Sequence, residues 1–187
     1  EVETTIRGLK PIVGSYIVSI EIHTPKLRFL IPKNILSIKT GIKIHKINRR
    51  GKFIIFSLSN KHSIVLHLGM SGRLRLFDSN KFYKKKHDHF ILSTNNELLL
   101  VFNDVRKFGF VDYDKEDKIY KRKYLLNLGI DALDQSLSSI FLLSRISKSV
   151  VPIKQILLDQ RIIAGVGNIY ASELLFDAKI SPFKKGN

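Results

Sequence analysis

Gly165-Val166-Gly167-Asn168 has the most informative spacing in the chain. Two glycines allow close backbone approach to a ligand, and a helix starting behind them offers unpaired N–H groups and a positive dipole end. Together these make a natural clamp for a phosphate. The same residues also suit a plain turn between helices, with the glycines serving only the bend and Asn168 as N-cap. Shape alone does not separate the two. Asp104-Val105-Arg106-Lys107-Phe108-Gly109 offers a cation, a ring and a glycine within four residues. That set suits insertion into a duplex, Arg106 bonding an orphaned base and Phe108 stacking; the alternative is a strand end with Phe108 in the core.

The single methionine, Met70, sits at the tip of His67-Leu68-Gly69-Met70-Ser71-Gly72. There it either wedges into a base stack or folds back onto the core, and the loop by itself favours the second. Lys52 stands between Arg49-Arg50-Gly51 and the apolar run Phe53–Phe56. A lysine at the mouth of a buried strand can have a lowered pKa and do acid–base work, although most such lysines only snorkel. In His87-Asp88-His89 the two imidazoles share one strand face with no third ligand evident. DNA-backbone contact or plain surface histidines explain that triplet better than a metal.

The elements that must hold these residues change character along the chain. Val2, Ile6 and Leu9 fall at helical spacing and Pro11 ends the run, which predicts a short leading helix. Ser15–Ile22 alternates, with Tyr16, Val18, Ile20 and Ile22 on one face and Ile17 breaking the pattern. Strands are also predicted at Ile42–Ile47, Lys52–Leu58, Ser63–Leu68, Gly72–Phe77, His89–Ser93 and Glu97–Phe102. Short strands at this spacing predict an antiparallel sandwich or barrel. The last third reads as helices: Leu137–Ile146, one opening near Pro152, and one placing Ala171, Leu174, Leu175 and Ala178 on a single face. The expected fold is α+β in two domains, residues 1–124 and 125–187.

The 187 residues suffice for a buried core, and 44% hydrophobic with 26% charged content excludes a disordered tail. Lys+Arg 32 against Asp+Glu 16 leaves +16, an excess that points to a polyanionic partner. The cations cluster at Lys43–Lys52, at Arg73–Lys86 and at Lys121–Lys123. Each cluster alone reads as a solvated face or protected sheet edge; three together favour nucleic acid. No run is long enough to span a membrane, and zero cysteines exclude a disulfide framework or a Cys-ligated zinc within these residues. A membrane or secreted protein is not expected.

In this order the segments resemble the bacterial formamidopyrimidine-DNA glycosylases of the Fpg/Nei family. The resemblance rests on EVETTIRGLKP at Glu1–Pro11, RRGKF at Arg49–Phe53, HLGMSGRLRL at His67–Leu76 and HDHF at His87–Phe90. It continues through FNDVRKFG at Phe102–Gly109, LGIDAL at Leu128–Leu133 and the stretch Ile153–Pro182, which looks like that family's helix–two-turn–helix element. It implies a β-sandwich with a leading helix, then a helical DNA-binding domain, with damaged double-stranded DNA held between them and the oxidised purine flipped out. It also implies a cytoplasmic, nucleoid-associated bacterial monomer. Met70, Arg106 and Phe108 match the void-filling triad of the Fpg branch, and Lys52 matches the proton donor of β-elimination. His87 and Arg106 match DNA contacts, and Gly167 with Asn168 matches the phosphate clamp, with Lys154 on the same basic surface. One further contact lysine aligns near Val150 and is not carried over.

Two departures follow from the same resemblance. The family's mature chain begins with proline and glutamate four residues ahead of Glu1, and that secondary amine attacks the sugar C1′ to form a Schiff base. The Cys₄ zinc finger follows Asn187 in the family, so no metal site is expected here and zinc belongs to that finger. As it stands the chain is expected to be a catalytically impaired glycosylase/lyase. The competing readings are a non-catalytic module for abasic or distorted DNA and, more remotely, an RNA-binding ribosomal protein.

Overall fold

The computed structural model describes residues 1–186. The chain divides into two compact units, Glu1–Lys121 and Arg122–Asn187. Unit 1 opens with helix α1 (Val2–Gly8), which Leu9 ends by starting a 3₁₀ turn, Lys10–Ile12. Val2, Ile6 and Leu9 share the inner face of α1, so the helix is held by packing rather than by its length, which is too short for independent stability.

Eight antiparallel strands follow: β1 (Tyr16–Ile22), β2 (Ile42–Arg50), β3 (Phe53–Leu58), β4 (His62–His67), β5 (Arg73–Asp78), β6 (Asp88–Thr94), β7 (Leu98–Asn103) and β8 (Phe110–Lys115). Their order, β5-β7-β6-β1-β2-β3-β4-β8, is continuous, yet β1 and β2 share only two pairs, Tyr16 with Lys43 and Ile17 with Ile42. That short junction divides the order into two four-stranded halves. Their inner faces close on one core: Ile17, Phe90, Leu92, Leu100 and Phe102 from one half meet Ile44, Ile54, Phe56, Ile64 and Leu66 from the other. This is a sandwich with α1 packed on it.

The structure corrects the face read for β1. Ile17 is the buried residue, while Tyr16 and Val18 are exposed. A bulge between Ile17 and Ser19 shifts the register against β6, so alternation restarts with Ile20 and Ile22 turned inward. β8 was not among the predicted strands, and Lys52 lies in the β2–β3 turn rather than in a strand.

Unit 1 ends with the short helix α2 (Glu116–Ile119), and unit 2 contains α3 (Lys123–Leu126), then α4 (Ser139–Ile146), α5 (Ile153–Leu158) and α6 (Asn168–Asp177). Ser138 caps α4 by accepting the Phe141 N–H at 3.1 Å. A two-residue parallel ladder, β9 (Ile130–Asp131) with β10 (Ile163–Ala164), ties the segment after α3 to the segment after α5. Two small clusters hold the unit: Ile153, Ile156 and Leu175, and Ile163, Val166 and Ala171. Leu174 was expected on the inner face but is 50% exposed; Ala171 and Leu175, at i and i+4, carry the contact. Among the described residues no helix is long and apolar enough to cross a membrane.

Candidate nucleic-acid interface

Lys52 is held at its hairpin tip by an arginine strut. Glu3 on α1 pairs with Arg49 Nε at 3.2 Å, and Arg49 Nη1 donates to the Gly51 carbonyl at 3.1 Å. Gly51 itself adopts φ +56°, a left-handed value that suits glycine in this two-residue turn. The Lys52 side chain is half-buried, and desolvation lowers its pKa, opposed in part by the charge of Glu1. Lysine chemistry as a proton donor near neutral pH needs a shift of this sign.

His67 joins this corner, and the sequence reading did not single it out. Paired with Phe53 across β3 and β4, its ring lies 5.0 Å from Phe53 and stacks on Phe110 at 5.6 Å. Burial, then the positive charges of Arg28 and Lys52, push its pKa down to about 4. The imidazole is therefore neutral at pH 7. Its Nδ1 accepts the Gly69 N–H at 3.1 Å, which leaves the proton on Nε2.

Gly69 opens the loop that carries Met70, and this loop is built against the loop carrying Arg106 and Phe108. A Cβ on Gly69 would lie 2.6 Å from both the Phe108 carbonyl carbon and the Gly109 nitrogen, so only glycine permits the approach. Asp104, fully buried, joins the two loops. It accepts from Ser71 Oγ at 2.5 Å, the Arg106 N–H at 3.3 Å and the Gly109 N–H at 2.8 Å. The Arg106 N–H also reaches Ser71 Oγ at 3.1 Å.

On this frame Met70 is 72% exposed, against the fold-back reading of its loop. Phe108 is 45% exposed rather than a core residue, and the Arg106 guanidinium lies over its ring at 4.7 Å. The three side chains thus rise from two neighbouring, mutually bonded loops. The bonds through Asp104 and Ser71 fix the backbone from which they project.

His87 and His89 part company. His89 is buried, with Nε2 donating to the Asp104 carbonyl at 2.8 Å and Nδ1 facing Thr24 Oγ1 at 2.8 Å. It is a structural histidine beneath the Asp104 loop, not a surface one. His87 remains partly exposed, 6.1 Å from the His89 ring, and its carbonyl accepts the Asp104 N–H at 3.1 Å. Among the described residues no group of three His, Cys, Asp or Glu could hold a metal. With no cysteine in the chain, the residues present do not fit a Cys₄ zinc.

In unit 2 the glycine turn is set by Gln160, a second residue the sequence reading missed. Its Oε1 accepts the Gly165 N–H at 2.9 Å, while Nε2 donates to the carbonyls of Val166 at 2.9 Å and Leu158 at 3.0 Å. One side-chain amide thereby fixes the chain on both sides of the turn, and Gly165 takes φ +107°. Gly167, not Asn168, is the N-cap of α6, in an extended conformation. Asn168 is the first helical residue, exposed and with no side-chain bond among the described residues.

The first helical bond runs from Ala171 N–H to the Gly167 carbonyl at 2.9 Å. Among the described residues the N–H groups of Asn168, Ile169 and Tyr170 ahead of it have no partner, as an anion site at a helix start requires. Lys154 on α5 lines a cleft with Lys179 and Ser172, the latter one turn along α6 from Asn168, and makes no ion pair among the described residues.

An α+β protein with an exposed methionine, arginine and phenylalanine on linked loops of one unit and an open helix N-terminus on the other, carrying +16 net charge, has the features of a nucleic-acid-binding protein. Comparison with known proteins makes the class particular. The family model of the formamidopyrimidine-DNA glycosylase N-terminal domain matches residues 1–111, and that of the formamidopyrimidine-DNA glycosylase H2TH domain matches residues 128–187. The formamidopyrimidine-DNA glycosylase of Rickettsia bellii is 38% identical over 187 residues, covering 100% of this chain and 68% of its own. That of Legionella pneumophila is 41% identical over 183 residues, 97% of this chain and 66% of its own.

Among solved structures, Lactococcus lactis Fpg complexed with abasic-site DNA matches with TM-score 0.89 and 34% identity, over 100% of this chain and 68% of that one. The same enzyme with oxidised-pyrimidine DNA matches at 0.90, also with 34% identity, over 100% and 70%. The chain belongs to the formamidopyrimidine-DNA glycosylase family.

Proposed function

We propose that the protein is a base-excision DNA glycosylase with abasic-site lyase activity that removes oxidised purines, 8-oxoguanine and formamidopyrimidines, from duplex DNA. The observation that carries this reading is the bonding of the two loops through Asp104 and Ser71, with Met70, Arg106 and Phe108 exposed on those adjoining loops. Extruding a nucleotide costs a few kcal/mol of unstacking. Met70 and Phe108 offset it by filling the gap with apolar surface, while Arg106 satisfies the base left unpaired.

The other assignments follow the same chemistry. Asn168, Gly167 and the open N–H groups of α6 take a lesion-strand phosphate, with Lys154 adding charge; His87 contacts the backbone. Lys52, its pKa lowered by desolvation, passes a proton during elimination. The family's nucleophile is a proline amine, which in the register of the resemblance precedes Glu1. The negative charge of Glu1 acts on Lys52, so that amine and the proton donor belong to one corner. If zinc serves this protein, its ligands lie outside these 187 residues. Its place of work is the bacterial nucleoid.

Borohydride trapping of the gene-encoded protein on a duplex carrying 8-oxoguanine tests the reading. A covalent protein–DNA adduct on the lesion strand, slowed by Lys52→Ala, is expected. Tight binding to abasic DNA with neither adduct nor base release indicates a non-catalytic damage-binding module instead.

A further inference from the structure

Strand β5 is an edge of the sandwich, and beside it lies a groove of about 340 Å³ that the damage-site reading does not use. Arg73 and Arg75 project from it at i and i+2, on one face and about 7 Å apart. Lys81 and Lys85 from the following loop line the same groove. Arg73, Arg75 and Lys85 make no ion pair among the described residues, and Lys81 reaches Asp78 only at 3.9 Å. The carboxylate in the groove, Asp88, is already engaged by the Lys85 N–H at 2.7 Å and by Asn103 Nδ2 at 2.8 Å. Four cations line the groove against this one carboxylate, so it keeps a net positive charge.

Aromatic surface completes the groove. Phe82 packs on Phe77 at a centroid distance of 5.3 Å, and Tyr83 beside it is 85% exposed. Protecting a sheet edge from aggregation needs lysines alone; it explains neither a concave groove nor a tyrosine held out in water beside it. A cation row with an exposed ring is what an unpaired nucleic-acid strand requires, phosphates along the charges and a base on the ring. A duplex offers its phosphates but not a free base face.

We propose that this groove is a second, lesion-independent site for single-stranded DNA, in which Arg73, Arg75, Lys81 and Lys85 hold the sugar–phosphate backbone and Tyr83 stacks one base. The site stands apart from the lesion reading and does not need it.

Anisotropy of a labelled oligothymidylate with the intact chain, measured across a salt series, tests the proposal. The double variant Arg73→Gln/Arg75→Gln should lower the salt slope by about 1.4, two single-strand phosphates at about 0.7 each. Tyr83→Ala should weaken binding about five- to a hundredfold, and Tyr83→Phe should restore it. All three variants should keep the preference for abasic-site duplex over undamaged duplex. An unchanged slope in the arginine variant, or unchanged oligothymidylate affinity in Tyr83→Ala, overturns the proposal. Loss of the abasic preference in the wild-type protein speaks only against the lesion reading.

Discussion

The paired loops of unit 1 and the glycine turn of unit 2 solve one problem with different anchors. Each presents an exposed segment, a proposed DNA contact, from a turn that glycine makes feasible, and each is fixed by one polar side chain that makes three hydrogen bonds. In unit 1 the anchor is the buried carboxylate of Asp104, gathering Ser71, Arg106 and Gly109. In unit 2 it is the neutral amide of Gln160, which bonds Gly165, Val166 and Leu158. On the proposed function, the difference follows from what each segment would face. A carboxylate is tolerable beneath side chains that meet bases, and its charge strengthens the bonds it accepts. Beneath open N–H groups meant for a phosphate, a carboxylate would repel the ligand; an amide supplies both donor and acceptor without charge.

Removing each anchor breaks that comparison most sharply. Asp104→Ala leaves Ser71 Oγ and the Gly109 N–H without their acceptor and the Arg106 N–H with Ser71 Oγ alone, and should cost about 4 kcal/mol, read by denaturant unfolding. It should also abolish the preference for abasic DNA, because both wedge loops lose their common support. A neutral His67 is the next largest contributor. Above pH 6.5 it is uncharged in both folded and unfolded chains. As pH falls toward about 4, the unfolded chain takes the proton first, so stability declines across that window and levels off below it. The loss reaches at most about 3 kcal/mol, and His67→Asn should remove that part of the pH dependence.

Gln160→Ala should cost about 2 kcal/mol. Gln160→Glu, close in shape, should weaken DNA binding further than alanine does; equal binding by the two variants would remove the electrostatic reason for an amide. The smallest effect belongs to Lys154→Ala, which should lower the salt slope of duplex binding by about 0.9 and leave stability within about 0.5 kcal/mol.

The sandwich and the helical segment were legible in the sequence because alternation and the 3.6-residue period survive in most elements. β1 was misread because a bulge after Ile17 moves its inner face from one set of residues to the next. In α6 the period placed Leu174 inward, but the small cluster around Ala171 and Leu175 leaves it in water. Exposed site residues, such as Met70, Arg106 and Asn168, stood out by type and by their glycine neighbours. Asp104, Gln160 and His67 did not, since their work is done through bonds to other segments. Ser71 lies 33 positions from Asp104, and no local pattern announces that contact. A signal existed only for Gln160, five residues before a glycine whose left-handed N–H needs an acceptor.

On the proposed function, the exposed side chains on the Asp104-linked loops occupy the space left by an extruded nucleotide. The most direct measurement compares Met70→Ala with the wild-type protein on two duplexes, identical except for one abasic site, at a single salt concentration. The account predicts that the substitution weakens the abasic complex about tenfold and leaves affinity for the undamaged duplex unchanged. Equal losses on both duplexes, or no loss on either, would contradict it.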